Sequence, residues 1–425
     1  MVEKVDKREE KFIHRPEELV YRGVYAPVDV RKMLETAETR GRIRRVPVPY
    51  LFFGLKQLDD EEISRLLPHV TEEQWAGILD LDLWSRDRMS TGGFLYWEKH
   101  ITSAQDAVAR KLIRAADPEL WELTFKRQMK VYAKVEEDEY EAEPEEGEWL
   151  ETPDKNYLIL LPENPDKARL LRALIQRLYD LEPNYAPLLI DSSRARTSIE
   201  IEETAYQNRK RRVEEMGFQD YFDAIQIYTF LPPEEPLPKK KWEQIREVGT
   251  LPVRLPEPAK GSLLLFQALA LITRPQESQT LLEELFFVCN KVLSADCASP
   301  ADPVRVKRGI RKAITGMNLG LDWWAKGNLQ KAAEGMRHHY LQSFFQVGHS
   351  RLIELCREAQ KLKNASYQPD PGSLLDAVFE GLLKRYPLLA EQRRGKIRKR
   401  FFRSRQDLEV AHRYLDQITK AQMEN

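Results

Sequence analysis

The stretch LLPHVTEEQWAGILDLDLWSRDRMS, Leu66 to Ser90, decides the fold class. Its first half is echoed downstream by IRAADPELWELTF, Ile113 to Phe125, so that Thr71 aligns with Asp117, Glu73 with Glu119 and Trp75 with Trp121. In both copies a side-chain oxygen acceptor stands where a helix begins, and a Trp follows four residues later on the face that has to be buried. Stacked helical hairpins have this pattern, each unit covering the apolar face of the next. The echo speaks to architecture. No catalytic or ligand-binding motif in the chain rises above background.

Capping and periodicity extend the reading outward. Thr71 with Gln74 predicts a capping box, Ser103 with Asp106 a weaker one, and Asp117-Pro118 a cap followed by proline at the first helical position. Residues 1–45 are polar, carry Arg40, Arg42, Arg44 and Arg45 near their end, and read as a loosely ordered arm. Helical pattern starts at Pro49. Between Met129 and Leu161 the sequence VYAKV alternates, an acidic segment follows, and WLETPDKNYLILL places two strand-like runs around Pro153-Asp154-Lys155-Asn156, predicting a small β-hairpin. Leu171, Leu174, Ile175 and Leu178 return to helical spacing, and another helix is expected from Ile199 to Met216.

Pro232, Pro233, Pro236, Pro238, Pro252, Pro256 and Pro258 then mark a linker at 232–260. Beyond it the pattern predicts helices at roughly 261–273, 277–294, 302–326, 328–362, 373–386 and 404–422, with Gly327-Asn328 as a tetratricopeptide-type turn. The expected fold is mainly α. It is read as stacked helical hairpins, a HEAT/tetratricopeptide-like α-solenoid or irregular bundle, in two lobes at 46–231 and 261–425, with a small β-hairpin inserted near 129–161.

Composition narrows the function classes. Apolar residues make up 42% and charged residues 32% of the 425, and Lys plus Arg total 67 against 68 for Asp plus Glu, so no global field favours nucleic acid or an anionic membrane. Cys289, Cys297 and Cys356 give an odd count without a CxxC, which suggests neither a disulfide framework nor a zinc knuckle, and a reducing cytosol is the simplest compartment. The longest apolar run, Leu263 to Thr273, contains a Gln and falls short of the ~20 residues of a membrane span.

Asp80-Leu-Asp82-Leu-Trp84 has the outline of a DxD motif, but phosphoryl-transfer chemistry needs those aspartates at the end of a buried strand, and here they follow a helix. Asp59 to Glu62 reads as the acidic first turn of a helix. Glu334 and His338 stand at i, i+4, enough for two ligands but not for a metal site, and His339, His349 and Ser350 lack the context of catalysis. No catalytic, cofactor or metal residue is assigned. Two charge runs remain. Glu136, Glu137, Asp138, Glu139 and Glu141, continuing to Glu148, read as a solvated loop that could dock a basic partner. Arg393 to Arg405 combines Arg394, Lys396, Arg398, Lys399, Arg400 and Arg403 with Phe401 and Phe402, either a nucleic-acid or anion contact or, as preferred here, a solvated helix face with Ile397, Phe401 and Phe402 turned inward.

Several segments together resemble an uncharacterised bacterial family defined by a domain of unknown function. They are ILDLDLWSRDRM (Ile78–Met89), ETPDKNYLIL (Glu151–Leu160), MGFQDYFDAIQIYTFLPPEE (Met216–Glu235), CNKVLSADCASPADPVRVKRGIRKAITGMNLGLDWWAKGN (Cys289–Asn328) and FFQVGHSRLIEL (Phe344–Leu355). The resemblance covers most of the chain from about residue 49, implies a mostly helical bacterial protein, and carries no functional residues with it. LLPHVTEEQWAGIL is also faintly similar to the helical N-terminal regulatory domain of magnesium transporters, whose membrane part is missing here. The expected function is a non-enzymatic cytoplasmic interaction or scaffold protein without cofactor, whose partner is another protein. The alternatives are a nucleic-acid-associated protein using 393–405, and an enzyme with an unrecognised helical active site.

Overall fold

The computed structural model describes residues 29–136, 139–141, 145–241, 263–297, 302–365 and 369–423. The chain is mainly helical with small β-hairpins, and it divides into two compact units, one over 27–216 and the other over 217–298 and 303–425.

The first unit opens with α1 (Val30–Met33), α2 (Ala37–Arg42), α3 (Val48–Leu55), α4 (Asp60–Leu66) and α5 (Glu72–Asp82), with 3-10 turns at Ile43–Arg45 and Leu67–His69. A two-stranded ribbon, β1 (Trp84–Ser85) and β2 (Arg88–Met89), leads to α6 (Thr91–Ser103), α7 (Asp106–Ala115) and α8 (Pro118–Gln128). Of the arm expected over 1–45, residues 1–28 lie outside the described residues, and from Val30 the chain is helical, with Val30 and Ile43 buried. Apolar side chains in that stretch supply core that its arginines conceal in a composition-based reading.

The capping box at Thr71 forms as expected: Gln74 N donates to Thr71 Oγ1 at 3.1 Å and Thr71 N to Gln74 Oε1 at 2.9 Å. Asp59 and Glu62 make a second box at the start of α4. The echo at Asp117 departs from this, because its carboxylate makes no capping bond and accepts from Arg212 instead. Ser103 likewise does not cap α7; its hydroxyl donates back to Lys99 O at 2.9 Å. Trp75 and Trp121 are nevertheless both fully buried, and their ring N–H groups donate to consecutive carbonyls of α7, Leu112 O at 3.0 Å and Ile113 O at 3.3 Å. The two rings therefore close the end of one helix: Trp121 donates to the Ile113 carbonyl in its last turn, and Trp75 adds a second donor to Leu112 O, which already accepts from Ala116 N at 3.2 Å.

The predicted hairpin is part of a larger antiparallel sheet in the order β4-β3-β6-β5, built from β3 (Lys130–Glu136), β4 (Glu139–Tyr140), β5 (Trp149–Glu151) and β6 (Tyr157–Leu160). Its turn is where Pro153 to Asn156 place it. Asp154 accepts from Thr152 Oγ1 at 2.6 Å, Asn156 N at 3.2 Å and Tyr179 Oη at 3.1 Å; burial alone would raise this carboxyl, and the hydrogen bonds hold it below its ordinary range. The unit closes with α9 (Pro165–Leu181), α10 (Tyr185–Ala195) and α11 (Ser198–Glu215), the last two packing on α8.

The second unit begins with α12 (Tyr221–Ala224) and, after the segment 229–241, continues with α13 (Leu264–Ala270), α14 (Pro275–Ala295), α15 (Pro303–Ala325), α16 (Leu329–His338) and α17 (Leu341–Asn364). The single helix expected over 328–362 is thus broken at His339-Tyr340, where both residues are extended. α15 and α17 are its principal pair. A Cβ at Gly320 would strike the Phe344 carbonyl oxygen, and one at Gly348 would strike that of Gly316, so small residues let the two backbones touch. Then follow α18 (Leu374–Leu382), a hairpin of β7 (Leu389–Arg393) and β8 (Lys396–Arg400), and α19 (Arg405–Met423), around a core that includes Leu355, Phe379, Phe402 and Leu415. Residues 232–241 of the expected linker belong to this unit, while 242–260 lie outside the described residues.

Candidate functional site

A cleft of about 920 Å³ opens in the second unit where α15 ends and α16 begins. Its floor is set by a tight turn. Lys326 and Gly327 take positive φ (55° and 77°), ending α15 after Ala325, and Asn328 caps α16 by accepting from Lys331 N at 3.0 Å. The turn brings Trp324 alongside α16, where a Cβ at Gly335 would lie 2.5 Å from the indole ring. Only a glycine admits the indole at that distance.

The opposite wall is the extended run ending the proline-rich stretch. Lys239 forms an antiparallel bridge with His339, Lys240 N donates to His338 O at 2.7 Å, and Lys241 N donates to Tyr340 Oη at 3.0 Å. Lys240 anchors it: its ammonium, fully buried, donates to Glu284 Oε2 at 2.6 Å and Met336 O at 2.7 Å, while Glu284 Oε1 accepts from Leu341 N at 2.6 Å. Burial pushes the Lys240 ammonium down and the Glu284 carboxyl up, and their mutual attraction opposes both. Lys240 is therefore committed to structure although it lines the cleft.

What remains for a ligand is mainly cationic and aromatic, with Glu334 as the carboxylate in the lining. Lys239 and Lys331 are exposed and make no ion pair among the described residues; Arg337 shares its charge with Glu277 at 3.1 Å. Lys331 Nζ sits 4.8 Å above the Trp324 ring, which His339 and Phe344 meet edge-on at 5.5 and 5.8 Å. Glu334 and His338 both line the cleft, but among the described residues no group of three or more His, Cys, Asp or Glu could hold a metal ion. Most lining side chains are exposed, so this is an open trough suited to a charged chain segment rather than a closed chamber around an apolar small molecule.

The basic run 393–405 is not a helix face. It is a β-hairpin, five residue pairs long, turning at Arg394-Gly395, both at positive φ (49° and 75°) as a two-residue hairpin turn requires. Phe401 and Phe402 do turn inward, at 9% and 1% exposure, from the end of a strand. Arg400 pairs with Glu391 at 2.9 Å and Asp407 at 2.8 Å, which raise its pKa, and Lys399 pairs with Glu380. Arg394, Lys396, Arg398 and Arg403 are exposed. The acidic run is likewise more than a loop: Glu136 ends β3, Glu139 lies opposite it in β4, and Glu141 pairs with Arg194. Glu137 and Asp138 lie outside the described residues. Lys130 and Arg172 neutralise Glu145 and Glu148 at 2.6 and 2.7 Å, so local cations consume charge that a basic partner would use.

Other perturbed groups have structural explanations. Asp80 is buried, which raises its pKa, and accepts from Arg212 at 2.6 and 2.9 Å; Asp82 pairs with Lys56 at 2.6 Å and accepts from Trp97 at 2.9 Å. The two aspartates point to different partners and cannot act on one metal or phosphate. In the second unit Lys312 is held by Asp296 at 2.9 Å between the rings of Tyr228 and Tyr386, 4.6 and 4.3 Å from its ammonium. His349 stacks on Phe345 and Tyr386 there; burial, with Lys312 adding to it, pushes the imidazole down to about 4. Trp324 and Lys331 meet across the Gly327-Asn328 turn, but Lys239 reaches them only through the bridge between 239 and 339, so the group is not visible in any one segment of the sequence. The available signals were Gly327-Asn328 and the lysines following Pro238.

The model of the family of unknown function DUF6178 matches residues 25–423, and the chain belongs to that family. No curated protein and no solved structure matches it.

Proposed function

We propose that this member of the family is a non-enzymatic binding protein of the cytoplasm whose second unit takes up an acidic, extended segment of a partner protein. The observation that carries the reading is the 920 Å³ cleft, in which Lys239, Lys331 and Arg337 surround Trp324 beside an extended backbone. An acidic segment would set carboxylates against these cations and an apolar or aromatic side chain against the indole. Three free cysteines fit the reducing compartment, and no helix among the described residues is long and apolar enough to cross a membrane. A stacked-hairpin architecture of the HEAT or tetratricopeptide kind belongs to the same proposal, supported by the way Trp75 and Trp121 close one end of α7.

A second reading, nucleic-acid association through the hairpin, is favoured by one observation: Arg394, Lys396 and Arg398 project from its tip while the pairs of Lys399 and Arg400 hold it rigid. Fluorescence anisotropy at about 150 mM salt separates the two. A labelled Glu-rich peptide should bind saturably while a Lys-rich peptide of equal length does not. Failure of the Glu-rich peptide would end the first reading, and single-stranded DNA binding lost on changing Arg394, Lys396 and Arg398 to Glu would establish the second.

A further inference from the structure

The first unit contains a cavity of about 410 Å³ between α4, the 3-10 turn at Leu67–His69 and the junction of α6 with α7. Arg40, Arg65 and His69 converge on it from separate elements, and no Asp or Glu lines it among the described residues. Among the described residues Arg65 makes no ion pair, and Arg40 spends only its Nε, on Thr36 O at 3.3 Å. Of the arginines that end the polar N-terminal stretch, Arg40 lines this cavity.

The positive field is fixed in place. Lys111 donates to Leu67 O at 3.1 Å, Pro68 O at 3.3 Å and Val70 O at 2.8 Å, so its ammonium holds the turn that carries His69. Burial first, and after it the positive charges of Arg40, Arg44 and Lys111, hold His69 below the ordinary imidazole range. Cations gathered around a concavity repel one another unless an anion joins them.

Hydroxyl and imidazole groups complete the lining. Ser64 Oγ and His100 Nδ1 share a hydrogen bond of 3.2 Å, and His100 Nε2, in a ring only 3% exposed, has no hydrogen-bond partner among the described residues. The nearest carboxylate, Asp60, is 3.8 Å from that nitrogen and is occupied by Tyr96 and Lys99, each at 2.9 Å. Leu67 and Val108 make part of the wall apolar. We infer that the cavity binds a small phosphate monoester, its phosphoryl oxygens held by Arg40 and Arg65 with His69 beside them and its organic part against Leu67 and Val108. Two guanidinium groups with unspent donors suit a tetrahedral dianion, and a cavity of this size admits a small metabolite but not a polymer.

Isothermal titration calorimetry on the full chain tests this with inorganic phosphate and phenyl phosphate as probes, and phenol as the uncharged comparator. Both phosphates should bind and phenol should not. Arg65→Gln and Arg40→Gln should each weaken phenyl phosphate binding about tenfold or more, the loss of a charge-assisted hydrogen bond, with unaltered thermal melting. Arg394→Gln in the second unit should leave it unchanged. No heat from either phosphate at about 10 mM, or binding that survives both arginine substitutions, would overturn the site. Uptake of inorganic phosphate alone would overturn the monoester assignment.

Discussion

Glu98 offers a test of the packing in the first unit. It lies in α6 with no exposed surface, and neither carboxyl oxygen has a hydrogen-bond partner among the described residues. Burial alone pushes this carboxyl up to about 8 from an ordinary 4.5. A group whose folded pKa is raised stays protonated in the folded state while the unfolded chain releases the proton, so stability falls as pH rises between the two values and is level outside them. The difference of roughly 3.5 units corresponds to at most about 5 kcal/mol, or about 1.4 kcal/mol for each pH unit within the window. Glu98→Gln keeps the shape and removes the titration. Urea unfolding of both proteins from about pH 5 to 8, followed by tryptophan fluorescence next to Trp97, should show the wild type losing ground steadily to the variant. Absolute stabilities matter less than the slope, because the buried amide has a desolvation cost of its own. Parallel pH profiles for the two proteins would refute the claim that this carboxyl is buried without a partner.

Trp75→Ala and Trp121→Ala should each cost about 3–5 kcal/mol, the range for large aromatic core side chains, read by denaturant unfolding of the first unit. Losses below about 1 kcal/mol would contradict the role assigned to the two rings. Gly320→Ala should destabilise the second unit by about 3 kcal/mol or more, because the added methyl meets the Phe344 carbonyl and lies 2.7 Å from Gly348 N. An unchanged calorimetric transition would mean that α15 and α17 are not in backbone contact.

Local signals in the sequence were reliable where the chain satisfies them locally. The box at Thr71, the turn at Pro153 to Asn156, the helix of 198–215 and the buried tryptophans all follow from a few neighbouring residues. Readings failed where a distant partner decided the outcome. Asp117 has the form of a cap, yet Arg212, from a helix far along the chain, claims its carboxylate. The run 393–405 has apolar residues at near-helical spacing, but Arg394-Gly395 accepts positive φ and Leu389–Arg393 supplies a strand to pair with. The cleft was the least legible feature. Its aromatic floor, its cations and its anchoring lysine come from three segments, and the pairing of Lys239 with His339 has no signature in either segment alone.

If the cleft recognises acidic chain, as proposed, reversing its charge should reverse its preference. Lys239 and Lys331 are exposed and unpaired among the described residues, so Lys239→Glu with Lys331→Glu should leave the melting transition in place. The double variant should lose a Glu-rich peptide by about a hundredfold or more in Kd and gain binding to a Lys-rich one, while the wild type shows the opposite preference. Equal affinity of both proteins for the Glu-rich peptide would contradict it.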